Sequence, residues 1–267
     1  MKFAFSKLSV LAALAAATVL SGCGLLNFNN SKSPALSSGN WSFVATSTVS
    51  PAQISDIGGS LSLNGSTVTS TMHSNLNCFD TSAPFSFGGT LQNHQITFTS
   101  APNANNQVIT VIASVTSPTA ITGTYTVTSG GGCAPDQGTI TASLVPSIKG
   151  TWQGPIAFGG TNVTLAIALS QASSASADGT YALTGNLTYT NSGCSKSGTL
   201  GSSYLAGSML VIDGTTVEVD NTAGSFSLTN VTLNSPFAPG SFTGTYKVIS
   251  GMLQCAGDSD TPTFTKQ

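Results

Sequence analysis

Gly123-Thr124-Tyr125-Thr126-Val127 and Gly244-Thr245-Tyr246-Lys247-Val248 are two copies of one stretch. A Gly-rich loop and Cys133 follow the first copy; Ser250-Gly251 and Cys255 follow the second. Each copy is preceded by a Pro-marked turn (Ser117-Pro118; Ser235-Pro236), a cysteine (Cys78; Cys194) and a Gly-x-Trp start (Gly39-Asn40-Trp41; Gly150-Thr151-Trp152). Landmarks repeated in one order mark a tandem duplication, with repeats at 40–146 and 147–267. Within the repeats, Thr alternates with Val, Ile or Tyr between Gly, Asn and Ser, the pattern of short strands with one buried face.

The wider composition agrees. Of 267 residues, 40% are hydrophobic, 6% are charged and 29 are glycine. No stretch beyond residue 22 sustains a helical period, so the expected class is all-β. Short strands joined by hairpin-length connections predict two tandem antiparallel domains, each a small up-and-down barrel, with a β-sandwich as the alternative. Asn64-Gly65 and Asp213-Gly214 read as hairpin turns. The second divides a strand at Met209–Ile212 from another at Val217–Val219. Pro146-Ser147-Ile148 is too short a joint for the two domains to tumble independently.

The first 22 residues read as a removable leader. Lys2 and Lys7 form a basic start and Leu8 to Leu20 an apolar run of signal-peptide length. The run ends in Leu20-Ser21-Gly22-Cys23, which resembles the lipobox of bacterial lipoproteins. That resemblance implies cleavage before Cys23, acylation of its sulfur and amino group, and a membrane anchor. An ordinary secretory signal with a nearby cysteine is the competing reading. Two or three acyl chains anchor stably where a single chain is marginal. Gly24 rather than Asp after the cysteine implies outer-membrane sorting in a Gram-negative envelope. Residues 23–39 then form a lipidated tether rich in Asn, Ser, Pro and Gly.

The chain has no arginine, and loss of the leader leaves five lysines against nine acidic residues, a net charge of −4. Nucleic acid is therefore excluded as a partner. With Cys23 given to lipid, two cysteines remain per repeat at spacings of 55 and 61. In an oxidising compartment they are expected to pair as Cys78–Cys133 and Cys194–Cys255. Zinc would need closer pairs. Closing loops of this length stabilises by roughly 4 kcal/mol in the chain-entropy model. In a round barrel each bridge would cross and cap one mouth; a flattened barrel or sandwich meets the distance more easily.

The Gly-x-Trp openings are similar to the first strand of lipocalins, and Gly150-Thr151-Trp152 also to that of avidins. The lipocalin arginine that packs over the tryptophan has no counterpart here. Trp41 and Trp152 are expected in the cores, near the floors of their domains and close to the strands carrying Tyr125 and Tyr246.

No catalytic constellation emerges. His73 and His94 are expected at polar surface positions, and the second repeat has no histidine for a triad. Most acidic residues sit beside Gly, Pro or Ser and read as turn formers. Glu218 and Asp220 read as one solvated strand face, Asp258-Ser259-Asp260 as a set too small for calcium, and Gly130-Gly131-Gly132 as a flexible approach to Cys133. No cofactor or metal is expected. The functional expectation is a non-catalytic, lipid-anchored outer-membrane protein acting as an interaction or structural module. Its partner would be another envelope component. The alternative is a lipocalin-like carrier of a small apolar ligand, and the state of the barrel interior separates the two.

Overall fold

A computed structural model describes residues 35–49, 54–76, 79, 83–158, 160–233, 239–251 and 255–267. Cys23, its leader, the tether as far as residue 34, and Cys78 lie outside the described residues; residues 35–39, expected as flexible tether, are instead part of the first barrel, with Leu36 buried and Gly39 in its first strand. Period-two alternation governs the strands: Gln95–Ser100 alternates exposed with buried positions along its whole length. In the first repeat, β1 (Gly39–Ser47), β2 (Ile54–Asn64), β3 (Thr67–Ser74), β4 (Phe85–Gln92), β5 (Gln95–Ser100), β6 (Ile109–Ser117), β7 (Ala120–Val127) and β8 (Asp136–Leu144) pair in sequence order. The first and last strands also pair, from Trp41↔Leu144 to Ser47↔Gly138, so the sheet closes into a barrel and the sandwich is excluded.

The second repeat closes the same way. Its strands are β9 (Gly150–Phe158), β10 (Thr161–Gln171), β11 (Tyr181–Thr190), β12 (Ser195–Leu200), β13 (Ser203–Ala206), β14 (Met209–Glu218), β15 (Ala223–Leu233), β16 (Ser241–Ser250), β17 (Ser259–Asp260) and β18 (Thr263–Lys266). β12 and β13 are two parts of one strand, since both lie between β11 and β14. β17 and β18 likewise share the last position beside β16, and β18 pairs with β9 to complete the ring. Apolar side chains point inward and Thr, Ser and Gln outward in both barrels, the reverse of a membrane-spanning barrel.

Local geometry explains the turns. Gly65, at φ +61°, takes the first central position of the β2–β3 hairpin, as a II′ turn favours. Asn93 and His94 both have positive φ between paired Gln92 and Gln95, the pattern of a I′ turn. Asp213-Gly214 is no turn and lies inside β14. A Cβ at Gly214 would stand 2.2 Å from the Thr199 carbonyl oxygen and 2.8 Å from the Phe226 ring, so close strand packing is what requires glycine there. The true turn is Gly207-Ser208, between β13 and β14.

Both floors are built alike. Trp41 and Trp152 are fully buried. Each donates its indole N–H to the carbonyl four residues upstream, Ser37 at 2.9 Å and Ile148 at 2.8 Å. Leu36 and Ile148 are buried beside them, so the incoming chain plugs each floor. Trp152 packs 5.0 Å from Phe242, on the strand that carries Tyr246, as expected. The cation over Trp152 is Lys266 on the last strand, 5.6 Å from the ring centroid.

The barrels belong to one compact unit, residues 34–267. Two cross-strand rows on the outside of the first barrel, Asn40–Ser60–Thr71 and Ser42–Gly58–His73, face the second. The Asn40 side-chain amide donates to the Gly207 carbonyl at 3.0 Å and accepts the Gly207 N–H at 2.7 Å. Ser42 bonds Ser208 at 3.1 Å. A Cβ at Gly58 would sit 2.5 Å from the Ala206 carbonyl oxygen, and one at Gly179 2.1 Å from that of Thr71. Glycine at both places lets the backbones meet.

Candidate functional site

In an up-and-down barrel alternate loops gather at each end, and those carrying Cys133, Cys194 and Cys255 lie at the end of their barrel opposite the tryptophan floor. The mouths of the two barrels are therefore the places to look for chemistry.

The first mouth is built around Tyr125 and Asp136. The Tyr125 hydroxyl donates to Asp136 Oδ2 at 2.7 Å, and Ser47 donates to Asp136 Oδ1 at 2.5 Å. Burial, and then the carboxylate that accepts its proton, push the Tyr125 hydroxyl well above the ordinary tyrosine range. Beside this pair lies a rigid loop at 101–108. Asn103 Oδ1 accepts the backbone N–H groups of Asn105 and Gln107, both at 2.9 Å. Asn105 in turn approaches Cys133 Sγ at 3.7 Å. The run Gly130-Gly131-Gly132 is no mere flexible approach to that cysteine. A Cβ at Gly130 would lie 2.1 Å from the Asn105 carbonyl oxygen, so glycine is required for the loops to touch. Cys133 is disulfide-bonded.

Between the 83–86 and 101–105 segments a cleft of 430 Å³ opens, floored by Phe79 and Phe85 and rimmed by Ala83, Pro84, Pro102 and Ala104. Its floor continues inward as a chain of rings: Phe79–Phe85 at 5.3 Å, Phe85–Phe87 at 5.2 Å and Phe87–Phe98 at 5.1 Å.

The second mouth is filled instead. Cys194 and Cys255 form a disulfide with Cα atoms 6.3 Å apart, joining loops from opposite sides of the ring. Below it Tyr189 and Tyr246 bring their hydroxyls to 3.0 Å. Burial is the main cause that pushes both upward, and the Glu218 carboxylate adds to it. Glu218 is itself 1% exposed, against the expectation of a solvated face. Thr216 donates to its Oε1 at 2.6 Å and Ser195 to its Oε2 at 3.0 Å. Cβ atoms at Gly224 and Gly251 would stand 2.2 and 2.9 Å from Oε1, so both glycines make room for the carboxylate.

The histidines do not share a site. His94 occupies the β4–β5 turn at the floor end. His73, near the mouth end of β3, is buried rather than at the surface. Its Nε2–H donates to the Asp178 carbonyl at 3.1 Å and its ring lies 6.3 Å from that of Tyr204, so the second barrel covers it. Asp178 is a turn former as read, and Asp220, expected on a strand face beside Glu218, forms a turn of the same kind. Each accepts a threonine hydroxyl and N–H two residues on, which holds its carboxyl below the usual range. Asp260 accepts the N–H groups of Ala157 and Thr261, both at 2.7 Å. Among the described residues no group of three or more His, Cys, Asp or Glu side chains is arranged to hold a metal. No family model, curated protein or solved structure matches the chain.

Proposed function

We propose that this chain is a non-catalytic protein anchored by lipid on Cys23 in the outer membrane, whose two joined barrels serve as an interaction or structural module of the envelope. The observation that carries this reading is the packing of the interiors. Trp41, Phe43, Met72, Ile96, Phe98 and Val111 fill the first barrel, and Trp152, Phe226, Phe242, Tyr246 and Phe264 the second, none more than 2% exposed. Barrel interiors occupied by large side chains leave little room for cargo. Hydroxyl-rich outer faces and a closely packed junction suit a stiff display element. The anchor is tested by replacing Cys23 with Ser. Palmitate labelling is expected to disappear and the protein to leave the membrane fraction; labelling that persists contradicts the anchor.

A second reading, carriage of a small apolar ligand, is favoured by one observation: the cleft at the first mouth, which lies outside the filled interior.

A further inference from the structure

We infer that the cleft at the mouth of the first barrel is a binding site for a small uncharged molecule bearing an aromatic ring or a short acyl group. The inference rests on the carrier reading and gives it a place and a ligand chemistry. Three features of the cleft support it.

The first is size. At 430 Å³ the cleft falls within the ~300–1,000 Å³ typical of small-molecule sites. The second is chemistry. Among the described residues its lining is Phe79, Phe85, two prolines, three alanines, Ser86, Asn103 and Asn105, none of them ionisable. An apolar ring would meet the Phe79–Phe85 pair, whereas the described lining offers a charged ligand no countercharge. The third is a wall already in place. Asn103 holds its own loop through Asn105 and Gln107, the Asn103 N–H reaches the Gln107 carbonyl at 3.0 Å, and Gly130 packs beneath Asn105. On this wall little loop ordering is left for binding to supply. The equivalent space in the second barrel holds the tyrosine pair, Glu218 and the disulfide.

The probe is N-phenyl-1-naphthylamine, a neutral aromatic dye that brightens in apolar surroundings. It is titrated into the chain from residue 23 onward carrying Cys23→Ser, so that no lipid competes for the dye. Saturable enhancement with one site per chain is expected. Ala104→Trp, on the exposed rim, should weaken it at least tenfold with an unchanged melting temperature; Ala223→Trp, exposed on the second barrel, should leave it unaltered. Saturable binding that Ala104→Trp does not disturb overturns this site while leaving a carrier with another site. Absence of saturable binding overturns the site and the carrier reading together.

Discussion

The two barrels share a core plan and differ in what surrounds it. Aligned on their tryptophans, they keep the floor hydrogen bond and the inward tyrosine of the seventh strand. The outer faces have diverged. Asn40, Ser42, Gly58 and His73 of the first barrel correspond in register to Thr151, Gln153, Ala166 and Thr188 of the second, where the side chains face outward without a barrel against them. The connection after the second strand differs too: a tight turn at Gly65-Ser66 in the first barrel, a longer loop at 172–180 in the second. That longer loop carries Asp178 and Gly179 to the junction. One copy supplies the receiving face and the other the inserted loop. Such a heterologous contact would repeat only if each copy bore both surfaces. In this pair each barrel bears one of the two. Packing kept the interiors alike, and the surfaces were free to specialise.

The shared floor is the part of this comparison whose loss should cost most. Trp152→Ala and Trp41→Ala should each destabilise their own barrel by about 3–5 kcal/mol, the range for a buried aromatic truncated to alanine. Trp152, with Phe242 at 5.0 Å and Lys266 over its ring, should lie at the upper end; Trp41, whose ring is 6.3 Å from that of Phe43, at the lower. Denaturant titration with barrel-specific probes measures both. Equal, small losses would mean that the floors are not the common plan.

The mouths should separate by pH. Burial raises the hydroxyls of Tyr125, Tyr189 and Tyr246 above their unfolded value of ~10. A group raised in the folded state contributes stability that is complete below its unfolded pKa and is lost as pH rises toward the folded one. Denaturation midpoints should therefore fall as pH rises above ~10. Tyr246→Phe should flatten that fall in the second barrel, and Tyr125→Phe in the first. The effect should be larger in the second barrel, where two such hydroxyls are buried together. Identical slopes for wild type and both variants would remove the mouths from the account.

Much of the fold was legible because period-two alternation and a five-landmark repeat are local signals. The misreadings have traceable causes. β2 runs from Ile54 straight through Gly58-Gly59, residues with weak strand propensity, because Gly58 serves a neighbour that the sequence does not identify. Taking Asp213-Gly214 as a turn interrupted the alternation. Once β14 is continuous, Leu210, Ile212, Thr216 and Glu218 fall on one inward face, and Asp220 belongs to the turn beyond it. One false turn thus hid the buried carboxylate. The junction left no local trace: Asn40 and Gly207 meet across 167 residues, and His73 is covered by a loop of the other repeat. Lys266 over Trp152 was equally hidden, since only ring closure brings the last strand beside the first.

The central claim is that the duplicated barrels form one body in a fixed relation, through a junction of glycine, asparagine and histidine rather than a large apolar patch. The direct measurement is the distance distribution between spin labels on Ile112→Cys and Ile249→Cys, exposed positions in the first and second barrels. A single narrow distribution is expected. It should broaden when Gly58→Val puts a side chain where the Ala206 carbonyl oxygen lies 2.5 Å from the added Cβ, with the stability of each barrel nearly unchanged. A broad distribution in the unaltered junction, or one indifferent to Gly58→Val, would contradict the claim.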